Sequence, residues 1–442
     1  MPFIANTDEQ RRQMLAEIGL TMEGLFSDIP KELLCGRMNI GEGLAEQEVR
    51  NVLADLAGKN SIDLTLFLGG GFYDHFIPAA VYSIISRSEF YTAYTPYQPE
   101  VSQGTLQAIY EYQSMICRLT DMEVSNASLY DGGTAMYEAM MMALRVTGRN
   151  KVIIDDSVNP IYRVMIESYT KNLKIELVQT HCATGLADRD QILAKLDTDT
   201  AAVILQNPNF FGCIDDFSDI AQAAHSKGSL LIVSCYPISL GILKTPGSMG
   251  ADIVTGEGQC LGMPMSFGGP YLGFMATRME YVRKMPGRII GRTKDRQGRD
   301  CFVMTLQARE QHIRREKATS NICTNQALNA LAATVYMSLM GKEGLREVGL
   351  LCLKKAHYAR KRILELDGFS SPWNAPVFKE FPVRTPVPPG EIITRLKSQR
   401  IHAGVDAGCF DRDLEGLLLV AVTERRTREE IDLFVEALQG CE

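Results

Sequence analysis

Short apolar segments alternate with helix-like segments between residues 127 and 276, and this alternation limits the fold more than any other feature of the sequence. The segments 151–155, 201–206 and 230–234 are almost continuously apolar and only as long as a strand. Strands of this kind are buried on both faces, as in parallel sheets whose connecting helices cover the two sides. The alternation therefore predicts an α/β domain built on a mostly parallel sheet.

The two ends of the chain have a different pattern. Apolar residues recur at helical spacing near the N-terminus, and the last hundred residues mix a long helix with strand-like pieces and a final helix. The sequence thus predicts three parts, which are an N-terminal helical arm (1–65), a large domain (66–330) and a small C-terminal α+β domain (331–442). Within the large domain, residues 279–315 are rich in Arg and Gly and predict loops with short helices.

Charge and cysteine usage exclude several classes of protein. A net charge of −7 argues against a nucleic-acid partner, which usually requires a basic field. The eleven cysteines form no C-x-x-C pair, so we expect no metal site. The first ten residues lack an apolar secretory segment, and no apolar run is long enough to cross a membrane, so we expect reduced thiols and a cytoplasmic location with no membrane partner.

One loop has the composition of a phosphate site. Residues 131–135 read Asp-Gly-Gly-Thr-Ala and lie between an expected strand and an expected helix. Free backbone N–H groups at such a helix start attract anions, and glycine lets the phosphate approach the backbone. The alternative is a tight turn that needs glycine for its own geometry. Taken alone, this motif does not decide between the two.

Three longer stretches carry a resemblance to a known family. They are FYTAYTPYQPE at 90–100, the glycine-rich stretch at 250–270 and QAREQHIRREKATSNIC at 307–323. All three closely resemble the N-terminal half of glycine decarboxylase, the P-protein of the glycine cleavage system. The resemblance implies the fold of type I pyridoxal-phosphate enzymes. It also implies the first chain of a two-chain form, because a small domain is complete near residue 442.

Two side chains that the cofactor needs are missing by this resemblance. The lysine that forms the Schiff base is replaced by Cys260, and the strand-end aspartate that pairs with the pyridine nitrogen is replaced by Ser234. Asn159 stands where a ring-stacking histidine is usual. We therefore expect no catalytic residue in this chain and a degenerate cofactor site of its own, formed by Gly132, Gly133, Thr134, Asn159 and Ser234.

The resemblance implies that this chain acts by completing the active site of a partner subunit. A second subunit would hold pyridoxal phosphate covalently, decarboxylate glycine and pass the aminomethyl group to the lipoyl arm of H-protein, in a heterotetramer of two such pairs. Residues expected to reach the partner's site are Tyr94, Thr95, Tyr97, Thr319, Ser320 and Asn321. Simple interface packing of the tyrosines, and capping of the helix near Asn325, are the structural alternatives.

Other functions stay open at this point. The chain could be a stand-alone pyridoxal-phosphate lyase or transferase that uses another lysine, for which Lys244 is nearest in sequence, or a non-enzymatic scaffold or regulator. The basic run 278–315 could dock the acidic lipoyl carrier or could be a solvated surface. Within this run, His312 is expected to be structural rather than catalytic.

Overall fold

The computed structural model describes residues 5–36 and 38–441 and divides the chain into two units, Met1–Ile62 and Asp63–Glu442. The first unit contains α1 (Asp8–Ile18) and α2 (Glu46–Ala57), with short 3₁₀ turns at Glu23–Phe26 and Lys31–Leu33. Its described residues include no buried one.

The limits of the two arm helices follow from local chemistry. Thr7 and Gln10 form a capping box that starts α1, in which each side chain bonds the other residue's backbone N–H. The apolar spacing over 8–25 predicts a longer helix, but Gly19, at φ +67°, ends α1 after Ile18. The amphipathic pattern over 46–57 predicts the second helix, and α2 has these bounds. One exposed face of α2 carries Val49, Val52, Leu53 and Leu56.

The second unit contains helices and strands arranged around one large sheet. Its helices are α3 (Ala79–Ile85), α4 (Ser88–Tyr91), α5 (Gln103–Thr120), α6 (Gly132–Thr147), α7 (Pro160–Thr170), α8 (Arg189–Lys195), α9 (Ser218–Ser226), α10 (Gln311–Arg314), α11 (Ala327–Ile363), α12 (Pro389–Lys397) and α13 (Arg428–Gln439). Its strands are β1 (Thr65–Leu66), β2 (Val124–Ser125), β3 (Lys151–Asp155), β4 (Glu176–Thr180), β5 (Thr200–Asn207), β6 (Leu230–Cys235), β7 (Ile253–Glu257), β8 (Gly273–Thr277), β9 (Ile289–Lys294), β10 (Asp300–Thr305), β11 (Glu380–Arg384), β12 (Ile401–His402), β13 (Val405–Asp406) and β14 (Leu417–Ala421).

The large sheet has seven strands in the order β2-β8-β7-β6-β5-β3-β4. Strands β3 to β7 are parallel, and β8 and β2 continue the sheet in antiparallel pairing, so the predicted mostly parallel α/β fold is confirmed. Strand β6 is buried at every position, as its apolar sequence predicts. The carboxyl ends of β5, β6 and β7 meet at one edge of this sheet, which is where ligands bind in such folds.

Two predictions about local structure were wrong. The short apolar segment at 127–130 predicts the first strand, but this strand lies slightly earlier, at Val124–Ser125. Leu129 makes only an isolated bridge to Gly273. The region 279–315 holds the antiparallel hairpin β9–β10 rather than loops and short helices alone. The exposed positions of this hairpin carry Arg292, Lys294 and Asp300, and Asp300 forms a surface ion pair with each of the two cations. These charged residues give the strands the composition of a loop.

The C-terminal region forms a three-stranded antiparallel sheet in the order β11-β14-β13, with α12 and α13 packed on it. Helix α11 runs between the two sheets as one element with a kink at Gly341, whose φ is +58°. The expected boundary at 330/331 falls inside this helix. In 5–36 and 38–441, no helix has the length and apolar character required to span a membrane.

Candidate functional site

A small cavity lies at the carboxyl ends of the parallel strands. Its volume is about 40 Å³, and it is bounded by the ends of β5, β6 and β7 on one side and by the start of β11 on the other. The lining residues share a polar character and are Gly71, Tyr73, Asn159, Tyr162, Gln206, Pro208, Asn209, Gly212, Ser234, Cys235, Tyr236, Glu257, Phe378, Lys379 and Glu380.

The N-terminus of α6 lies behind the cavity wall, because it contacts the lining residue Glu257, whereas Gly132, Gly133 and Thr134 are not part of the lining. The amides of Gly132 and Thr134 both have acceptors within the chain. Asp131 caps the helix by accepting the Thr134 backbone N–H at 2.8 Å and the Thr134 hydroxyl at 2.9 Å. The Gly132 amide donates to Glu257 Oε2 at 3.0 Å. A Cβ at Gly132 would overlap with the Tyr162 hydroxyl, so glycine is required here by close packing.

Glu257 is the anion that the helix end binds. Its Oε1 also accepts the backbone amides of Gln259 and Leu272, each at 3.0 Å. Burial raises the pKa of Glu257 to about 7, although these backbone donors act in the opposite direction by stabilising the carboxylate. The place in which the sequence predicted a phosphate thus contains a carboxylate of the chain itself.

The structure brings Asn159 and Ser234 to this cavity but leaves Cys260 outside its lining. Asn159 caps α7 through its side-chain oxygen, which accepts the Ile161 amide, and its amide nitrogen donates to the Gly70 carbonyl. Ser234 is buried near the end of β6. Cys260 is also buried, and burial raises its thiol pKa to about 12, so the thiol keeps its proton at neutral pH.

Lys379 is the cavity residue that sequence reasoning missed. Only 3% of it is exposed, and its Nζ lies 2.6 Å from the centre of the Tyr73 ring and 3.9 Å from that of Tyr236. Burial lowers the pKa of Lys379 to about 7. In the sequence, Lys379 is a charged residue next to Phe378 in a strand-like stretch. A strand prediction does not say whether this side chain points into the protein or into solvent.

Glu380 holds one wall of the cavity in place. Its carboxylate accepts the Tyr73 hydroxyl at 2.6 Å and the Gly70 amide at 2.7 Å. Lys244, by contrast, does not line this cavity. Its Nζ donates to Asp216 and to the Ser218 hydroxyl at 2.8 Å each, and the side chain is exposed. The lysine considered for a stand-alone enzyme is therefore held on the surface by a local ion pair.

A larger cleft of about 210 Å³ lies beside the Tyr94 loop. Tyr94 and Thr95 line it, and the Tyr94 hydroxyl is 3.4 Å from the hydroxyl of Thr324. Tyr94 is 74% exposed, so its ring is free to contact another molecule. Arg288 is a buried residue of the cleft wall and is positioned over the ring of Tyr97, with its guanidinium carbon 5.7 Å from the ring centre.

The other predicted partner-facing residues form a local turn near this cleft but not in its lining. Thr319 donates its amide to the Arg309 carbonyl, the Ser320 hydroxyl accepts the Ile322 amide, and the Asn321 side chain accepts the Gln311 amide group. None of these three side chains caps α11, whose N-cap is Gln326. Residues 324–328, a few positions further along, line the cleft instead. His312 contacts the Tyr97 ring edge-on.

Three buried or half-buried donors could hold a metal ion, namely His75, Cys352 and Glu424, whose ligand atoms lie within 4.8 Å of one another. His75 Nδ1 and Glu424 Oε2 are 2.6 Å apart, and the other ring nitrogen of His75 contacts the Tyr236 hydroxyl. Burial alone would raise the pKa of Glu424, but the hydrogen bond with His75 brings it to about 2. Burial raises the pKa of the Cys352 thiol. The cluster satisfies its own hydrogen bonds and joins separate parts of the fold.

The parallel sheet, the helix that starts at its ligand-binding edge and the small C-terminal sheet define the class of pyridoxal-phosphate-dependent enzymes of fold type I. A glutamate decarboxylase of Lactobacillus brevis has this fold, with a TM-score of 0.69 over 94% of this chain and 96% of that one, at 10% identity. The particular family is established by closer matches. The family model described as "Glycine cleavage system P-protein" matches residues 1–438, and the chain belongs to this family.

Individual relatives agree with this assignment. The chain is 54% identical to a "Probable glycine dehydrogenase (decarboxylating) subunit 1" of Desulforamulus reducens, over 99% of each chain. It is 53% identical to a protein of the same description from Geotalea uraniireducens, over 100% of each. A crystal structure of a glycine decarboxylase (P-protein) in inhibitor-bound form superposes with a TM-score of 0.93 at 42% identity, over 100% of both chains.

The residues of the small cavity do not fit pyridoxal phosphate. The α6 amide that would bind the phosphate is bonded to Glu257, and the β6 end offers the neutral Ser234. A volume near 40 Å³ accommodates about three water-sized groups, which is far less than the cofactor needs.

Proposed function

We propose that this chain is the non-lysine subunit of a two-chain glycine dehydrogenase (decarboxylating). Its partner would hold pyridoxal phosphate, and the pair would decarboxylate glycine and pass the aminomethyl group to the lipoyl arm of H-protein. The observation that carries this proposal is the hydrogen bond from the Gly132 amide to Glu257, which occupies the donor that the sequence predicts for a cofactor phosphate. Membership in the family supports the reaction, and the printed description "subunit 1" of the relatives supports a two-chain form.

The N-terminal unit supports an obligate partner. Its described residues include no buried one, yet α2 presents Val49, Val52, Leu53 and Leu56 along a single face. Such a continuous apolar stripe on a soluble helix marks a protein interface. We propose that the arm packs on the lysine-bearing subunit. The eleven cysteines, whose described thiols are all free, support a reducing compartment such as the cytoplasm.

We further propose that the Tyr94 cleft faces the partner's substrate site. An exposed tyrosine can close a neighbouring pocket against water and donate one hydrogen bond, because its ring is apolar and its hydroxyl polar. Tyr94 has this exposure, and Arg288 adds positive charge at the cleft wall. Thr319, Ser320 and Asn321 are proposed to donate hydrogen bonds to the partner's cofactor phosphate on assembly, since they precede residues 324–328, which line this cleft. This chain would supply pocket wall and donors but no covalent step.

The test is reconstitution. We would purify this chain and the lysine-bearing subunit separately and measure glycine-dependent CO₂ release with lipoylated H-protein. Each subunit alone should be inactive, and the mixture should be active. Activity of the partner alone that does not rise on addition of this chain would indicate a scaffold. A stoichiometric absorption band of bound cofactor on this chain alone, removed by Lys244→Ala, would indicate a stand-alone enzyme instead.

A further inference from the structure

Lys379 is buried without an ion-pair partner. No carboxylate of the residues that the structure describes lies within ion-pair distance of its Nζ, which is enclosed instead by the rings of Tyr73 and Tyr236. An unpaired ammonium group is costly to bury, so the neutral amine is favoured in such a position. A neutral lysine amine is a nucleophile, and desolvated lysines of this kind form imines with carbonyl compounds.

The surroundings of the amine are fixed. Lys379 immediately precedes β11, and the adjacent Glu380 anchors Tyr73 through the 2.6 Å hydrogen bond to its hydroxyl. Lys379 lines the cavity and is only 3% exposed, so its amine lies at the cavity wall and not in solvent. A nucleophile that is already positioned against a cavity needs little reorganisation to react with a molecule bound there.

The cavity limits what that molecule can be. About 40 Å³ has room for about three water-sized groups. The side chains of Ser234 and Gln206 offer polar contacts, whereas the carboxyl groups of Glu257 and Glu380, whose pKa values burial raises, offer no positive charge to an anion. Small uncharged carbonyl compounds satisfy both conditions, and phosphorylated or carboxylated ones do not.

We propose that Lys379 is an imine-forming site for a small uncharged aldehyde. The amine nitrogen attacks the carbonyl carbon to give a carbinolamine, and loss of its hydroxyl with one proton releases one water and leaves a carbon–nitrogen double bond. No oxidant or reductant is required. The product is a neutral imine, and uptake of one proton from water gives its iminium form, a cation that would lie between the rings of Tyr73 and Tyr236, which favour a positive charge over their faces. This activity is separate from the proposed decarboxylase role and needs no partner subunit.

The experiment uses the full chain with glycolaldehyde and a borohydride reductant at pH 7, followed by peptide mass mapping. Lys244 serves as the internal control, because it is exposed and paired with Asp216. The reduced adduct should form on Lys379 at least tenfold faster than on Lys244, should saturate at one equivalent, and should be absent from Lys379→Arg. Pyridoxal phosphate should give no adduct at Lys379.

Two outcomes would overturn the proposal. Labelling of Lys379 no faster than that of Lys244 would mean that its burial is purely structural, and this comparison needs only the unmodified protein. Labelling of Lys379 by pyridoxal phosphate would contradict the size and charge limits of the cavity. Neither result bears on reconstituted glycine decarboxylation, so failure of this proposal and failure of the proposed function can be told apart.

Discussion

The backbone amide of Gly132 donates a 3.0 Å hydrogen bond to Glu257, so the start of α6 binds an anion that the chain itself supplies. The helix dipole and the free N–H groups that make such an end attractive to phosphate are used here for folding. Through this hydrogen bond, Glu257 also stabilises the edge of the sheet at which α6 begins.

Replacing Glu257 by alanine should destabilise the chain. The change leaves the buried amides of Gly132, Gln259 and Leu272 without an acceptor, at a cost of about 2 to 4 kcal/mol in total. Urea unfolding followed by circular dichroism measures this change. The control is Glu347→Ala on the exposed face of α11, which should alter the free energy of unfolding by less than about 0.5 kcal/mol.

The same variant should gain an anion site. Without the Glu257 carboxylate, inorganic phosphate can accept hydrogen bonds from the freed backbone amides. Millimolar phosphate should therefore raise the melting temperature of Glu257→Ala more than that of the parent chain. Sodium chloride at equal ionic strength is the control for general salt effects. Equal shifts in the two proteins would show that the start of α6 has no specific affinity for anions.

The stability of the chain should rise between pH 7 and pH 9 because of Lys379. Burial lowers its pKa to about 7 in the folded chain, against 10.5 for an ordinary lysine. Below pH 7 both states hold the proton and this group contributes no slope. Above it the unfolded chain binds one more proton than the folded chain, so the free energy of unfolding increases with pH, by about 1.4 kcal/mol per unit at most.

Lys379→Met isolates this contribution from those of other groups. The methionine keeps an unbranched apolar stem and removes the titration, so its unfolding free energy should rise less with pH than that of the parent. The two proteins would be compared by urea unfolding at pH 7, 8 and 9. Parallel pH profiles would contradict a lowered pKa at Lys379 and would weaken the case for a neutral amine in the cavity.

Gly212 lines the small cavity and packs closely on β11, so replacing it with alanine should cost more stability than the same change at Gly416. Gly212 and Gly416 have φ values of +76° and +77°, so alanine strains the backbone equally at both. A Cβ at Gly212 would overlap with the carbonyl oxygen of Glu380, whereas Gly416 has open space. Gly212→Ala should therefore cost about 2 to 4 kcal/mol more than Gly416→Ala in urea unfolding. Similar costs would show that the loop can move away from the strand.

Parts of this site could be predicted from the sequence and parts could not, for physical reasons. Gly132 was found because strand, glycine pair and amphipathic helix are consecutive in the chain. Its acceptor Glu257 lies 125 residues away on another strand, and no local pattern reports that pairing. Lys379 was missed for the same reason, since the packing of the two sheets, and not its own stretch of sequence, decides where its side chain points. The β9–β10 hairpin was missed because its exposed charges hid the strand pattern.

Removing single hydroxyl groups from the Tyr94 loop tests the role proposed for the larger cleft. Tyr94→Phe and Tyr97→Phe should each lower the turnover of the reconstituted enzyme several-fold without preventing assembly, because the ring packing is kept and one donor is lost. Tyr169→Phe is the matched control, since Tyr169 is exposed on α7 away from the cleft. Full activity in both loop variants would contradict the claim that this loop borders the partner's site.

The apolar face of α2 tests the role proposed for the arm. Leu53→Asp combined with Leu56→Asp places two charges on the exposed stripe, where they should weaken association with the lysine-bearing subunit by at least tenfold in size-exclusion or sedimentation experiments. The control is Gln47→Asp with Asn51→Asp, which adds the same charge to the opposite face of the same helix. Both variants should keep the melting temperature of the parent chain, because the described residues of the arm are not buried in it. If the leucine variant assembles as tightly as the control, the arm does not bind the partner through this face, and the stripe must contact something else.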